Sequence, residues 1–240
     1  MALKNGRDEL ASSALHARHL TARGTLEIGF GLMDRSIELK AKKLGAGTEG
    51  TVGRICQYLG AHDIVNVLVG GAAVLAFGVL RTVGDLGLVV GLRPRAIERF
   101  VDILGIEGFR ADLEGLEEAL DQRTRFPLRQ EGNGLSLSLR GAYCKRDRSL
   151  IEGRKVVELH GVAFPLESPE DAIADYLRSD RAQDVMDAEG IYLRQHPCLD
   201  MDRLERICKA LKVRRRLARM RKRMGPYLER FDRHLGSVGP

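Results

Sequence analysis

The chain has no tryptophan, only 5% aromatic residues, four cysteines in 240 residues and three asparagines. Cys56, Cys144, Cys198 and Cys208 form no Cys-x-x-Cys pair. That spacing excludes a zinc ribbon or a disulfide framework, and reduced thiols in a cytoplasmic protein are expected. No stretch reaches the roughly 20 apolar residues of a membrane span. The longest, residues 64–80, is broken by Asn66 and by Gly70-Gly71. Residues 1–8 lack the apolar centre of a secretory signal. The six histidines show no metal-ligand spacing, and His16 and His19 read as helix surface. Few asparagines, together with 30 arginines against 9 lysines, suit a thermophile.

What is present describes a soluble, globular chain with a real core: 44% hydrophobic residues, 30% charged residues and a mean hydropathy of −0.19. The net charge of +6 is unevenly spread. Between Arg203 and Arg223, eleven basic residues stand against one acid, Glu205. That segment carries +10, so the rest of the chain carries −4 (+6 less +10).

Hydrophobic periodicity gives the organisation. Residues 8–19 suit a helix, and Leu26, Ile28 and Phe30 alternate like a strand. Residues 45–48 read as a joint, followed by a helix carrying Val52, Ile55, Cys56 and Leu59, with Cys56 in the core. Residues 64–69 form a nearly all-apolar, β-branched run, the signature of a strand buried on both faces. A short helix follows over 72–77, then a strand at 86–91 and helices at 94–104 and 114–121. Further strands are expected at 126–129, 134–140, 155–159 and 162–166. From Ser168 the texture turns helical, with helices at 168 onward, 182–195 and 200–224, the last stopped by Gly225-Pro226. The expected fold is α+β, a mixed sheet flanked by helices and then a helical C-terminal region. Its parts are an N-terminal extension (1–47), an α/β domain (48–166) and a helical region (167–240) whose basic helix spans 200–224.

The stretch from Val67 to Val90 carries the chemistry. A buried strand ends in Gly70-Gly71, which bares backbone N–H groups at the start of the next helix, an arrangement suited to phosphate. Arg81-Thr82 and Asp85-Leu86 then open a second strand. Val69-Gly-Gly-Ala-Ala73, Gly78-Val-Leu-Arg-Thr82 and Asp85-Leu86 resemble, in order and spacing, the nucleotidyltransferase superfamily with the DNA-polymerase-beta-like fold, in its minimal, abortive-infection-type branch. Glu167-Ser-Pro-Glu-Asp171 is similar to that family's Ser-Pro-Glu-Asp helix start, and Arg181, Asp184 and Asp187 sit where its Arg-x-x-Asp-x-x-Asp lies. The resemblance covers about residues 50–195.

The resemblance implies nucleotide binding at Gly70, Gly71, Arg81 and Thr82, with Asp85 as catalytic and metal-binding residue. In the family two carboxylates at i and i+2 on one strand face hold divalent ions, and Mg²⁺ and an NTP would be the cofactors of an active enzyme. Here the second position is Gly87, the third falls on Ser136 or Ser138, and a common lysine of the Ser-Pro-Glu-Asp helix is replaced by Tyr176. The reading that follows is a protein with lost or reduced catalysis, a pseudoenzyme, binding nucleotide or nucleic acid. An active metal-dependent nucleotidyltransferase, using Asp85 with one metal or with a further acid such as Glu131, is the alternative. A toxin–antitoxin-type interaction module is a third. Plainer readings stand beside these: Gly70-Gly71 as a tight turn, Asp85 as a polar strand start, Arg81 and Thr82 as solvent contacts.

The basic segment places Leu204, Ile207, Cys208 and Leu211, then Leu217, Met220 and Met224, on one stripe. Opposite stand Arg214, Arg215, Arg216, Arg219, Arg221, Lys222 and Arg223. So many like charges repel one another, and RNA or DNA phosphate is the natural counter-charge, with an acidic partner protein next. A membrane surface is not expected, because the apolar stripe lacks Trp and Phe. A solvated face on a docked helix is the plainer reading.

Overall fold

The β-branched run before Gly70 is the middle of a six-stranded sheet. The structure is a computed structural model and describes residues 46–236 apart from 133, 160, 161 and 180. The helix expected at 8–19, the strand at 26–30 and nearly all of the 1–47 extension lie outside the described residues. Helix α1 (Ala46–Ala61) begins where a joint was expected, so residues 46–48 are helical. Among the described residues no helix is long and apolar enough to cross a membrane.

The described residues divide into two compact units, one of residues 46–72 with 82–167 and the other of residues 73–81 with 168–236. In the first unit the strands are β1 (Asn66–Val69), β2 (Leu86–Val90), β3 (Phe126–Arg129), β4 (Ser136–Gly141), β5 (Lys155–Leu159) and β6 (Val162–Leu166). They lie in the order β3-β4-β2-β1-β6-β5. β1 runs antiparallel to β2 and parallel to β6, while β2 runs parallel to β4. Both edge strands close antiparallel hairpin-like pairs, β3 with β4 and β5 with β6. The sheet is therefore mixed, with β1 and β2 at its centre, and the complete burial of Val67 and Val89 explains the apolar run.

Helix α1 packs on β1 and β6. Helices α3 (Ile97–Ile106) and α4 (Leu113–Asp121) bury Phe100, Leu104 and Leu116. On the face of β1 that carries Val67 lies α5 (Lys145–Glu152), packing Leu150 and Ile151 against Val67 and Val89. No helical periodicity announces α5, because its eight residues are mostly charged. Its Asp147 is buried, paired with Arg140 at 3.0 Å, and accepts from the Cys144 N–H at its own N-cap. β4 starts two residues later than expected because Gly132 and Gly134 take positive φ, 89° and 71°, in the turn from β3.

The second unit takes most of α2 (Gly71–Ala76) and the helices α6 (Pro169–Ser179), α7 (Ala182–Gln195), α8 (Met201–Ala210) and α9 (Arg214–Gly236). Its core joins Val74 and Phe77 to Ile173, Ile191, Leu204, Cys208, Leu217 and Met220. The single basic helix expected at 200–224 is two helices. Leu217 lies 13 residues after Leu204, which in one α-helix turns it by about 220° away from the Leu204 stripe. The chain restores both to one core by breaking at 211–213, where Lys212 takes a left-handed φ of 61°. Gly225-Pro226 does not stop α9, which runs through Pro226 to Gly236. Pro226 is exposed, and the lost backbone bond falls on the solvent side beside Lys222.

Candidate nucleotide and nucleic-acid sites

β1 delivers the chain to Gly70 and Gly71, and each glycine is required for a different reason. Gly70 has φ 67°, a left-handed conformation that opens the turn. A Cβ on Gly71 would lie 2.2 Å from Val83 Cγ1 and 3.1 Å from the backbone oxygen of Asp85. The missing side chain thus lets the segment entering β2 close onto the turn. Asp85 is exposed and immediately precedes β2, which places it beside Gly71.

The Gly70 amide is not bare. It donates to Oε1 of Glu167 at 2.6 Å, and Glu167 is only 3% exposed. Glu167 follows β6 and donates its own N–H to the Leu68 carbonyl at 2.9 Å. Continuing a parallel ladder would send the Gly70 N–H to the backbone carbonyl of Glu167. Its side chain takes that bond instead and sets a carboxylate on the turn.

Register fixes the other family positions. Gly87 pairs with Val69 on one side and with Ser138 on the other. Ser136, two residues earlier on β4, shares that face, and it pairs with Arg129. Only Asp85 brings a carboxylate to these strand positions. A Cβ on Gly87 would sit 2.7 Å from Val69 Cγ2 and 3.0 Å from the Val69 carbonyl oxygen. Glu131 lies in the turn after β3, where its N–H bonds the Gly108 carbonyl and its carboxylate pairs with Arg110. Among the described residues no three His, Cys, Asp or Glu side chains gather as a metal site. Mg²⁺ requires near-octahedral oxygen donors. One exposed carboxylate beside a glycine and a serine hydroxyl does not fit a two-ion centre. Thr82 is exposed in the same unit.

The remaining predicted residues lie in the second unit. Arg81 pairs at 2.8 Å with Asp187, which is fully buried and also accepts from Gln183 at 2.9 Å. Arg181 pairs with Asp184 at the start of α7, and the bond holds its guanidinium above its usual pKa. Ser168 caps α6: its hydroxyl accepts from the Asp171 N–H and donates to the Asp171 carboxylate. Asp171 also takes Arg203 at 2.6 Å, and Glu170 accepts the Asp200 N–H at 2.9 Å. Glu170 and Asp171 of this motif therefore join α6 to α8, while Ser168 caps α6 itself.

The basic residues of α9 fall into two groups. Arg221 pairs with Glu205 at 3.0 Å and Arg214 reaches the same carboxylate at 3.6 Å. Arg223 pairs with Glu189, and Arg216 donates to the Leu177 and Arg178 carbonyls at the end of α6. Arg215, Arg219 and Lys222 are exposed and make no ion pair among the described residues.

Comparison with solved structures decides the fold. The crystal structure of an antigenic nucleotidyltransferase-like protein from Paracoccidioides brasiliensis matches with a TM-score of 0.50 and 17% identity, over 77% of this chain and 93% of that chain. The chain has a nucleotidyltransferase-like fold. The antibiotic-resistance factor ANT(2'')-Ia is also similar, at 18% identity and a TM-score of 0.47 for its complex with adenylyl-2''-tobramycin, covering 70% of this chain and 98% of that one. No protein-family model matches the chain. No curated protein matches it.

Within the nucleotidyltransferase-like fold, Gly70, Gly71, Thr82 and Asp85 belong to the first unit, and Arg81 to the second. The residue that sequence reasoning missed is Glu167. By pattern it is the start of a helix motif, and its one local signal is an acid set directly after the apolar run 162–166. Cys56 is buried, and burial pushes its thiol up to about 12, which makes it core and not a nucleophile.

Proposed function

We propose that this is a nucleotidyltransferase-fold protein whose metal-dependent transfer is lost or reduced, and that it binds nucleic-acid phosphate. The observation that carries the first half is the Gly87–Ser138 pair, which stands where the resemblance expects carboxylates. Asp85 remains as the single residual acid, with Gly70, Gly71 and Thr82 as the nucleotide-contacting residues. Mg²⁺ and NTP enter only for an enzyme that retains activity. Arg81 is assigned to its pair with Asp187. The second half is supported by the exposed cations of α9 that no acid of the described chain takes up.

Two measurements test the reading. Incubation with each labelled NTP, Mg²⁺ and candidate acceptors should give no transfer above that of an Asp85→Asn variant. Transfer abolished by that substitution would establish the active enzyme instead. Anisotropy with labelled oligonucleotides at low salt should show binding that weakens with salt. Binding of acidic polypeptides but of no nucleic acid would favour the protein-interaction module.

A further inference from the structure

The exposed face of α9 carries more than charge. Arg215, Arg219, Lys222 and Arg230 are all exposed, and at 100° per residue they fall within an arc of about 80°. They extend along about 22 Å of helix at 1.5 Å per residue. About 60° beyond this arc, between it and the buried stripe, stands Tyr227, 57% exposed, one of six large hydrophobic side chains left open among the described residues. It is four residues after Arg223 and three before Arg230, the spacings at which helix side chains are neighbours. The buried stripe of the same helix, Leu217, Met220 and Met224, has no use for this ring.

An aromatic ring held open among cations suits a polyanion that also offers flat apolar faces. A single-stranded nucleic acid does, because its bases unstack and turn outward while its phosphates follow a basic track. A duplex keeps its bases stacked inside, and an acidic peptide supplies charge without planar faces. Resting on the nucleic-acid reading above, we infer that α9 binds single-stranded RNA or DNA, with phosphates along Arg215, Arg219 and Lys222 and a base stacked on Tyr227. Arg214, Arg221 and Arg223 keep their acids and hold the helix in place. Arg230 extends the track past the ring.

Fluorescence anisotropy on the full chain tests this, with a labelled single-stranded 20-mer of RNA, the same sequence in DNA, and its duplex, each over a salt series. The single strands should bind more tightly than the duplex. Tyr227→Ala should weaken single-strand binding by about 5- to 150-fold, the range for one stacked base, and leave duplex binding unchanged, while Tyr227→Phe keeps the wild-type affinity. The Arg215→Gln, Arg219→Gln, Lys222→Gln triple variant should shallow the slope of log affinity against log salt by about 2 for single strands. Circular dichroism of each variant should match the parent, since all four side chains are exposed. Equal affinity for duplex and single strand, or an unchanged affinity in Tyr227→Ala, overturns the inference while leaving phosphate binding standing. An absence of binding to all three probes overturns the nucleic-acid reading itself.

Discussion

Substituting Gly87→Asp returns a carboxylate to the position two residues after Asp85, and the structure says what it costs. The new Cβ would stand 2.7 Å from Val69 Cγ2 and 3.0 Å from the Val69 carbonyl. The first contact is relieved if Val69 changes rotamer, but the second involves backbone and needs the β1–β2 pair to shift. Overpacking of this kind costs about 1–3 kcal/mol. For a chain of this size that corresponds to a fall of roughly 2–12 °C in Tm. Removing the methyl groups by Val69→Ala in the same chain should return part of the loss. The coupling between the two substitutions should be about 0.5–3 kcal/mol, the range for residues in contact. Thermal melts with and without Mg²⁺ then read the second effect. If the repaired strand binds the ion, Mg²⁺ at ten times its Kd should stabilise the double variant by about 1.4 kcal/mol, and leave the parent unshifted. A Gly87→Asp protein as stable as the parent, or a Val69→Ala substitution that adds without coupling, would refute the claim that this contact excludes a side chain from the family position.

Arg81→Met should cost about 3–5 kcal/mol in urea denaturation, because it leaves the buried Asp187 with only Gln183. Glu167→Ala orphans the Gly70 amide and should cost about 1–3 kcal/mol, whereas Glu167→Gln keeps an acceptor and should lose less. Of the four thiols, exposed Cys144 and Cys198 should react with a disulfide reagent in the native protein at pH 8, and Cys56 and Cys208 only after denaturation. With its thiol raised to about 12, Cys56 holds too little thiolate at that pH to compete. On α9, Arg215→Gln with Arg219→Gln should leave Tm within about 2 °C, while Arg216→Ala, which uncaps two α6 carbonyls, should lower stability by about 1 kcal/mol.

The parts of the fold legible in the sequence are those fixed by short-range pattern. The buried run into Gly70-Gly71, the antiparallel β5–β6 pair and the Ser168 start of α6 all carry their cause within a few residues. What was not legible depends on partners far along the chain. Glu167 meets Gly70 across 97 residues, and Arg223 finds Glu189 well upstream, so no local pattern announces either. Helix α5 is charged because its buried face is only Leu150, Ile151 and a paired Asp147. The break at 211–213 was readable in principle, since the apolar stripe changes phase between Leu211 and Leu217. Gly70, Gly71 and Asp85 were placed together by pattern alone, but the carboxylate already seated on Gly70 was not.

The interleaving of the two units constrains how the protein is made. The second unit draws Ala73, Val74 and Phe77 from a segment synthesised early and everything else from residues 168 onward. On a ribosome, the short segment 73–81 must wait through the synthesis of residues 82–167 before its apolar side chains have anything to cover them. Those side chains are therefore exposed in every nascent chain that ends before α6, a window in which chaperones or aggregation compete for them. No single cut yields both units whole: expression from residue 168 leaves the helical core without Phe77, and termination at residue 167 leaves Phe77 without its core.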